Sequence, residues 1–174
     1  MKTLIIHPKD ETTDFLKRIY RNITDYTLIT EIEINQVNYE QLILDHQRII
    51  MLGHGFPNGL YSTPDRKLIV SNEHAELLNG KDCVFVWCNA DEYVQRHNLR
   101  GFYTGMIISE VAEANYCNVI ATKEQVDESN YLFAETIGRY INMHESMHKL
   151  ITSEYTSSTN PVIMYNQVRL YSNF

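Results

Sequence analysis

The stretch Ile49–Gly59, IIMLGHGFPNG, decides the reading of the whole chain. Its first four residues are apolar without alternation, which is how a strand covered on both faces of a parallel sheet reads. The run then stops at Gly53-His54-Gly55, where two glycines free the backbone for a sharp turn around a histidine. In an open α/β sheet, ligands bind beyond the carboxyl ends of the strands, so a histidine at that point is a candidate functional group.

Working outward, the same alternation of apolar strands and helical spacing recurs. Thr3–His7 (TLIIH) reads as a buried strand, and Asp10–Ile23 as a helix with Phe15, Leu16, Ile19, Tyr20 and Ile23 on one side. Tyr26–Ile34 reads as a second strand and Tyr39–Asp45 as a short helix. After the Gly-His-Gly turn, Gly59–Ser62 and Lys67–Val70 form a small hairpin-like excursion, and Glu73–Leu78 a short helix ending at Asn79-Gly80. Cys83–Cys88 (CVFVWC) is the next buried strand. Beyond it we expect a helix over Thr104–Tyr116, a short strand over Asn118–Thr122, a helix over Asp127–Met147, and late strands at Val162–Tyr165 and Gln167–Tyr171. The implied fold class is α/β, doubly wound, with a mostly parallel sheet of five to six strands and helices on both faces. No linker or repeat divides residues 1–174, and 44% hydrophobic residues suffice for a single core, so one domain is expected.

The net charge of −7 argues against nucleic acid or an anionic membrane as the main partner, since both require a surplus of Lys and Arg. No signal-like or spanning apolar run is present, so a cytoplasmic protein is expected. In that compartment the three cysteines, Cys83, Cys88 and Cys117, are read as thiols and not as a disulfide framework, and the Asn22-Ile23-Thr24 triplet as a chance glycosylation pattern.

If the strands ending at Leu52 and Cys88 are neighbours, His54 and Cys88 face one opening. A nearby imidazole can activate a thiol and later protonate a leaving amine, while the Gly55 and Cys88 backbone N–H groups are candidate oxyanion donors. Each residue also has a plainer reading. Cys88 alone reads as core, His54 alone as a turn residue, Cys117 as core and His7 as a structural histidine. Gly53–Gly59 lacks the lysine and glycine spacing of phosphate loops, and a metal site from His54, Cys88 and His97 would need His97 to point back to the cleft.

The ordered pattern is more informative than any one residue: apolar strand, His-Gly, polar hairpin, short helix ending in Gly, apolar strand, Cys, then a Gly-led helix and short strand. Through IIMLGHG, LLNGKDCVFVWCNA and GFYTGMIISEVAEANYCNVIATKEQVD, the chain resembles the caspase-like cysteine peptidases, and among them the bacterial CHAT domains, over Ile49–Asp127. The resemblance implies a small endopeptidase acting on a peptide or protein, with Cys88 as nucleophile, His54 as general acid/base, Gly55 and Cys88 as oxyanion donors, Glu124 or Asp127 lining the substrate pocket, and no metal or organic cofactor. The chain departs from the family where Trp87 precedes the cysteine and Ala90 stands two residues after it, and where 34 residues separate His54 from Cys88 against roughly 50 in caspases. Those departures motivate the alternative of an inactive module that binds a peptide or protein partner in the same cleft. Sheet order alone also allows a flavodoxin-like small-ligand enzyme.

Overall fold

A computed structural model describes residues 2–30, 37–63 and 65–174. The strands of the main sheet are β1 (Thr3–Ile6), β2 (Tyr26–Ile29), β3 (Arg48–Leu52), then β7 (Asp82–Val86), β8 (Phe102–Thr104) and β9 (Leu170–Ser172). They lie in the order β2-β1-β3-β7-β8-β9, all parallel except β9, which runs antiparallel to β8. A separate antiparallel sheet of β4 (Gly55–Phe56), β5 (Gly59–Tyr61) and β6 (Leu68–Val70) fills the interval between β3 and β7. The chain is therefore α/β and doubly wound, as its strand pattern implies.

The central strands alternate their side chains between two helical layers, which is why they are apolar throughout. Leu4, Ile6, Ile49, Met51, Cys83 and Phe85 enter one core, against α1 (Tyr39–Asp45), α2 (Ala75–Leu78) and α3 (Ala90–Arg96). Ile5, Ile50, Leu52, Val84 and Val86 enter the other, against the 3-10 helix Glu11–Ile19 and the helices α5 (Lys123–Tyr140), α6 (Met147–Glu154) and α7 (Pro161–Gln167). At the amino-terminal edge, the Arg48 guanidinium reaches Asn142 Oδ1 at 2.6 Å, the Ile141 carbonyl and Asp82 Oδ2 at 3.3 Å, fastening the end of α5 beneath β3 and β7.

Several expectations are corrected. Phe102–Thr104 is a strand, so the expected Thr104–Tyr116 helix shrinks to α4 (Val111–Tyr116), preceded by a loop whose Ile107 and Ile108 are buried in different clusters. Asn118–Thr122 is not a strand. Ile120 is 95% exposed there, and Thr122 accepts from the Gln125 N–H in a capping box that starts α5 at Lys123, with a turn after Tyr140 before α6. Val162–Tyr165 is helical because Asn160 accepts from the Val162 and Ile163 N–H groups and Pro161 takes the first helical position. The helix expected over Asp10–Ile23 is the tighter 3-10 form over Glu11–Ile19. The expected Tyr26–Ile34 strand runs to Ile29, and its residues 31–34 lie outside the described residues.

Candidate functional site

The turn carrying His54 is fastened on both sides. Gly53, at φ 140°, adopts a conformation that favours glycine, and its N–H donates to the Val86 carbonyl at 3.0 Å. The His54 carbonyl accepts from the Tyr61 N–H at 3.0 Å, which ties the turn to β5. The ring lies face to face with Tyr61, with centroids 6.0 Å apart and planes 15° apart. His54 Nε2 is 2.7 Å from Thr12 Oγ1 and 3.6 Å from Asp10 Oδ1.

Asp10 ends the loop after β1 and Thr12 stands in the first turn of the 3-10 helix that follows, and no motif in the sequence marks them. The Asp10 carboxylate also caps the 3-10 helix, accepting from the Thr12 N–H at 2.8 Å, and its second oxygen accepts from Thr63 Oγ1 at 2.5 Å. Burial works against ionisation of Asp10, but the bonds from the Thr12 and Thr63 hydroxyls and the Thr12 N–H outweigh it and bring its pKa down to about 2. The signal available beforehand was positional: β1 ends at the same edge as β3 and β7, so its following loop borders the same opening.

Cys88 stands on the neighbouring strand. Leu52 of β3 pairs with Val86 of β7, so His54 and Cys88 each fall two residues beyond a paired position, on strands about 4.8 Å apart. The turn from β7 into α3 is tight, with Asn89 left-handed at φ 63° and ψ 32°. Asparagine tolerates that region, and Ala90, two residues after Cys88, is the first residue of α3, where the helical backbone suits alanine. Trp87, the other departure from the family pattern, is fully buried. It fits because Gly55 has no side chain: a Cβ there would lie 2.1 Å from the indole Cδ1.

Among the described residues, no hydrogen bond joins Cys88 to His54. The Cys88 Sγ donates instead to the Ile107 carbonyl at 3.6 Å. Although the residue as a whole is only partly buried, enclosure of the sulfur, with the Glu113 carboxylate adding to it, pushes the thiol pKa up to about 12. The resting thiol is therefore protonated at neutral pH. Because the folded value lies above the ordinary 9.0, this protonation stabilises the fold fully below pH 9.0 and is lost as pH rises toward about 12. Alkylation of Cys88 by iodoacetamide is expected to be slow near neutrality and to climb steeply above pH 9.0, as read by mass spectrometry of the modified peptide; rapid alkylation at pH 7 would show a preformed thiolate.

An open cleft of about 480 Å³ lies between the 3-10 helix, the start of α4 and the first turns of α5, and neither His54 nor Cys88 is among its lining residues. Thr12, the anchor of His54, lines it together with Phe15, Ser109, Glu110, Asp127 and Tyr131. Of the two acidic residues on α5, Asp127 borders the cleft with an ion pair to Lys123 at 2.5 Å, whereas Glu124 is exposed on the first turn and does not line it. Gly55 heads β4 directly after His54.

The other candidates lie elsewhere. Cys117, at the end of α4, packs against the small cluster of Ile108, Ala114, Val126 and Val162. His97 Nε2 is 2.9 Å from Asn72 Oδ1, so it does not join His54 and Cys88. Among the described residues, no group of three or more His, Cys, Asp and Glu side chains is placed to hold a metal ion. His7 is buried beside the Tyr20 hydroxyl at 3.2 Å, and burial brings its pKa down to about 4. No helix among the described residues is long and apolar enough to cross a membrane.

No family model matches the chain, and no curated protein matches it. Among solved structures, the chain is similar to oxidised flavodoxin 1 from Bacillus cereus, at 12% identity and a TM-score of 0.33, over 67% of this chain and 92% of the flavodoxin. A likeness of that size bears on neither ligand nor activity.

Proposed function

We propose that the protein is a small caspase-like cysteine peptidase in which Cys88 attacks a peptide carbonyl and His54 handles the proton. The observation that carries this reading is the equivalent position of the two residues, each two past the Leu52–Val86 pair on adjacent parallel strands. The β4–β6 sheet and α2 occupy the interval between them where the family pattern has a hairpin and a short helix.

In this reading the thiol leaves the Ile107 carbonyl when a substrate carbonyl arrives. His54 takes the thiol proton as the carbon–sulfur bond forms, and the negative charge gathers on the former carbonyl oxygen beside the Cys88 N–H and Gly55 N–H. The imidazolium returns the proton to the leaving amine as the carbon–nitrogen bond breaks. Water, deprotonated by His54, then cleaves the thioester and frees the new carboxyl terminus. Apo contacts in such sites are often long and tighten on substrate binding.

The test is a panel of peptidyl acyloxymethyl ketones. Labelling is expected at Cys88 and is expected to vanish in His54→Ala at unchanged thermal stability. Equal labelling of Cys117, or undiminished labelling of the His54 variant, would overturn the reading. A second reading, a non-catalytic module that holds a peptide or protein in the cleft, draws on the thiol's bond to Ile107 and its raised pKa. It predicts no covalent labelling of Cys88 with any peptide sequence.

A further inference from the structure

We infer that Asp10, acting through the Thr12 hydroxyl, fixes the tautomer of His54 so that Nε2 carries the proton and Nδ1 is the bare, proton-accepting nitrogen. This deepens the reading above, and its use in catalysis rests on that reading.

A threonine hydroxyl has one hydrogen to give. Thr12 Oγ1 lies 2.5 Å from Asp10 Oδ1 and 2.7 Å from His54 Nε2, so it can donate to only one of them. The carboxylate is ionised at any ordinary pH and has no hydrogen of its own. If Thr12 donated to the ring, two acceptor oxygens would face each other at 2.5 Å with nothing between them. The hydroxyl therefore donates to Asp10 and presents a lone pair to the ring, and Nε2 must supply the hydrogen. The carboxylate 3.6 Å away favours positive polarity at that nitrogen as well.

Asp10 cannot readily turn away, because Thr12 N–H and Thr63 Oγ1 hold its two oxygens. The ring cannot readily turn either, since Tyr61 covers one face and a flip would forfeit the Thr12 bond. Nδ1 makes no hydrogen bond within the described residues, and 19% of the His54 side chain is exposed. Asp10 and Thr12 are thus positioning residues that act through His54. Thr63, from the loop between β5 and β6, makes the small sheet part of the same support.

The tautomer is read directly from long-range proton–nitrogen correlations of protein labelled with 15N-histidine, at a pH where His54 is neutral, with His54→Gln assigning the signals. Wild type is expected to show a protonated-type Nε2 and a bare-type Nδ1. Thr12→Val keeps the Asp10 cap on the 3-10 helix and is expected to shift the population toward Nδ1–H, whereas Thr12→Ser restores the wild-type pattern. Asp10→Asn, which keeps an acceptor oxygen at the cap, gives a second variant should Thr12→Val fold poorly, and its signals are expected to move toward a mixture. In the labelling assay, Thr12→Val should slow inactivation by about 10–100-fold with probe affinity unchanged, the range found for groups that orient a histidine from outside. A wild-type ring protonated at Nδ1, or a Thr12→Val ring that keeps the wild-type pattern, overturns the inference. The expected tautomer without labelling of Cys88 would remove the peptidase reading and leave the positioning pair standing.

Discussion

Alanine at either Cys88 or His54 is expected to lower hydrolysis of a cleaved peptide by about 10³-fold or more, and the double variant is expected to be no worse than either single one. The reason is that a nucleophile and its base act as one unit, so removing the second partner takes away nothing the first loss left behind. Both side chains stand on turns fixed by backbone bonds, the His54 turn by Gly53 N–H to the Val86 carbonyl and Tyr61 N–H to the His54 carbonyl, and the Cys88 turn by Ala90 N–H to the Trp87 carbonyl. Their truncation should therefore leave the fold intact, which circular dichroism and a thermal melt would verify. Losses that simply multiply in the double variant would mean that the two residues act independently, contrary to the proposed dyad.

The second large effect is on stability. Trp87→Ala is expected to destabilise the protein by about 3–5 kcal/mol, the usual cost of emptying a large aromatic site. Trp87 is fully buried and meets Phe85 and Tyr93 edge-on, each with centroids 5.6 Å away. For a domain whose total stability is about 5–15 kcal/mol, that is a substantial fraction, and the melting temperature should fall by about 10 °C or more. Gly55→Ala tests the same contact from the other side, because its methyl would enter the indole. It should cost about 1–3 kcal/mol in wild type and distinctly less in a Trp87→Leu background, a coupling that urea titrations of the four proteins would measure. Equal costs in both backgrounds would show that the clash with the Gly59 carbonyl, 2.8 Å from the added methyl, sets the cost and not the indole.

These residues also show what was legible in the sequence. The central strands were readable because burial on both faces leaves an unbroken apolar run, as in Ile49–Leu52 and Cys83–Val86. The turn residues His54 and Cys88 were readable because they end such runs. Elements away from the centre were harder. Val162 and Ile163 suggest a strand by composition, yet the local signal that decides their state is the Asn160-Pro161 start. Likewise Val119 and Ile120 suggest a strand, but Thr122 and Gln125 cap a helix that begins sooner. In each case a side-chain cap satisfying free N–H groups outweighs intrinsic β preference.

Trp87 and Ala90 read as departures when judged by residue type. The fold accommodates the first with Gly55 and places the second at the start of α3, just after the left-handed Asn89. Asp10, Thr12 and Thr63 were illegible because their roles depend on bonds spanning 42 and 53 residues of chain, which no local pattern encodes. The Cys88–Ile107 bond was hidden for the same reason, since Ile107 reads as one more apolar residue of a helix.

The most direct test of the account is a crystal structure of the protein after reaction with a peptidyl acyloxymethyl ketone. The account predicts a covalent bond from Cys88 Sγ to the probe, the Ile107 carbonyl released, and His54 Nδ1 within about 3.5 Å of the probe's reacting centre, with Nε2 still on Thr12. A probe attached elsewhere, or a Cys88 adduct with His54 turned away from it, would contradict the proposal that these two residues form one site.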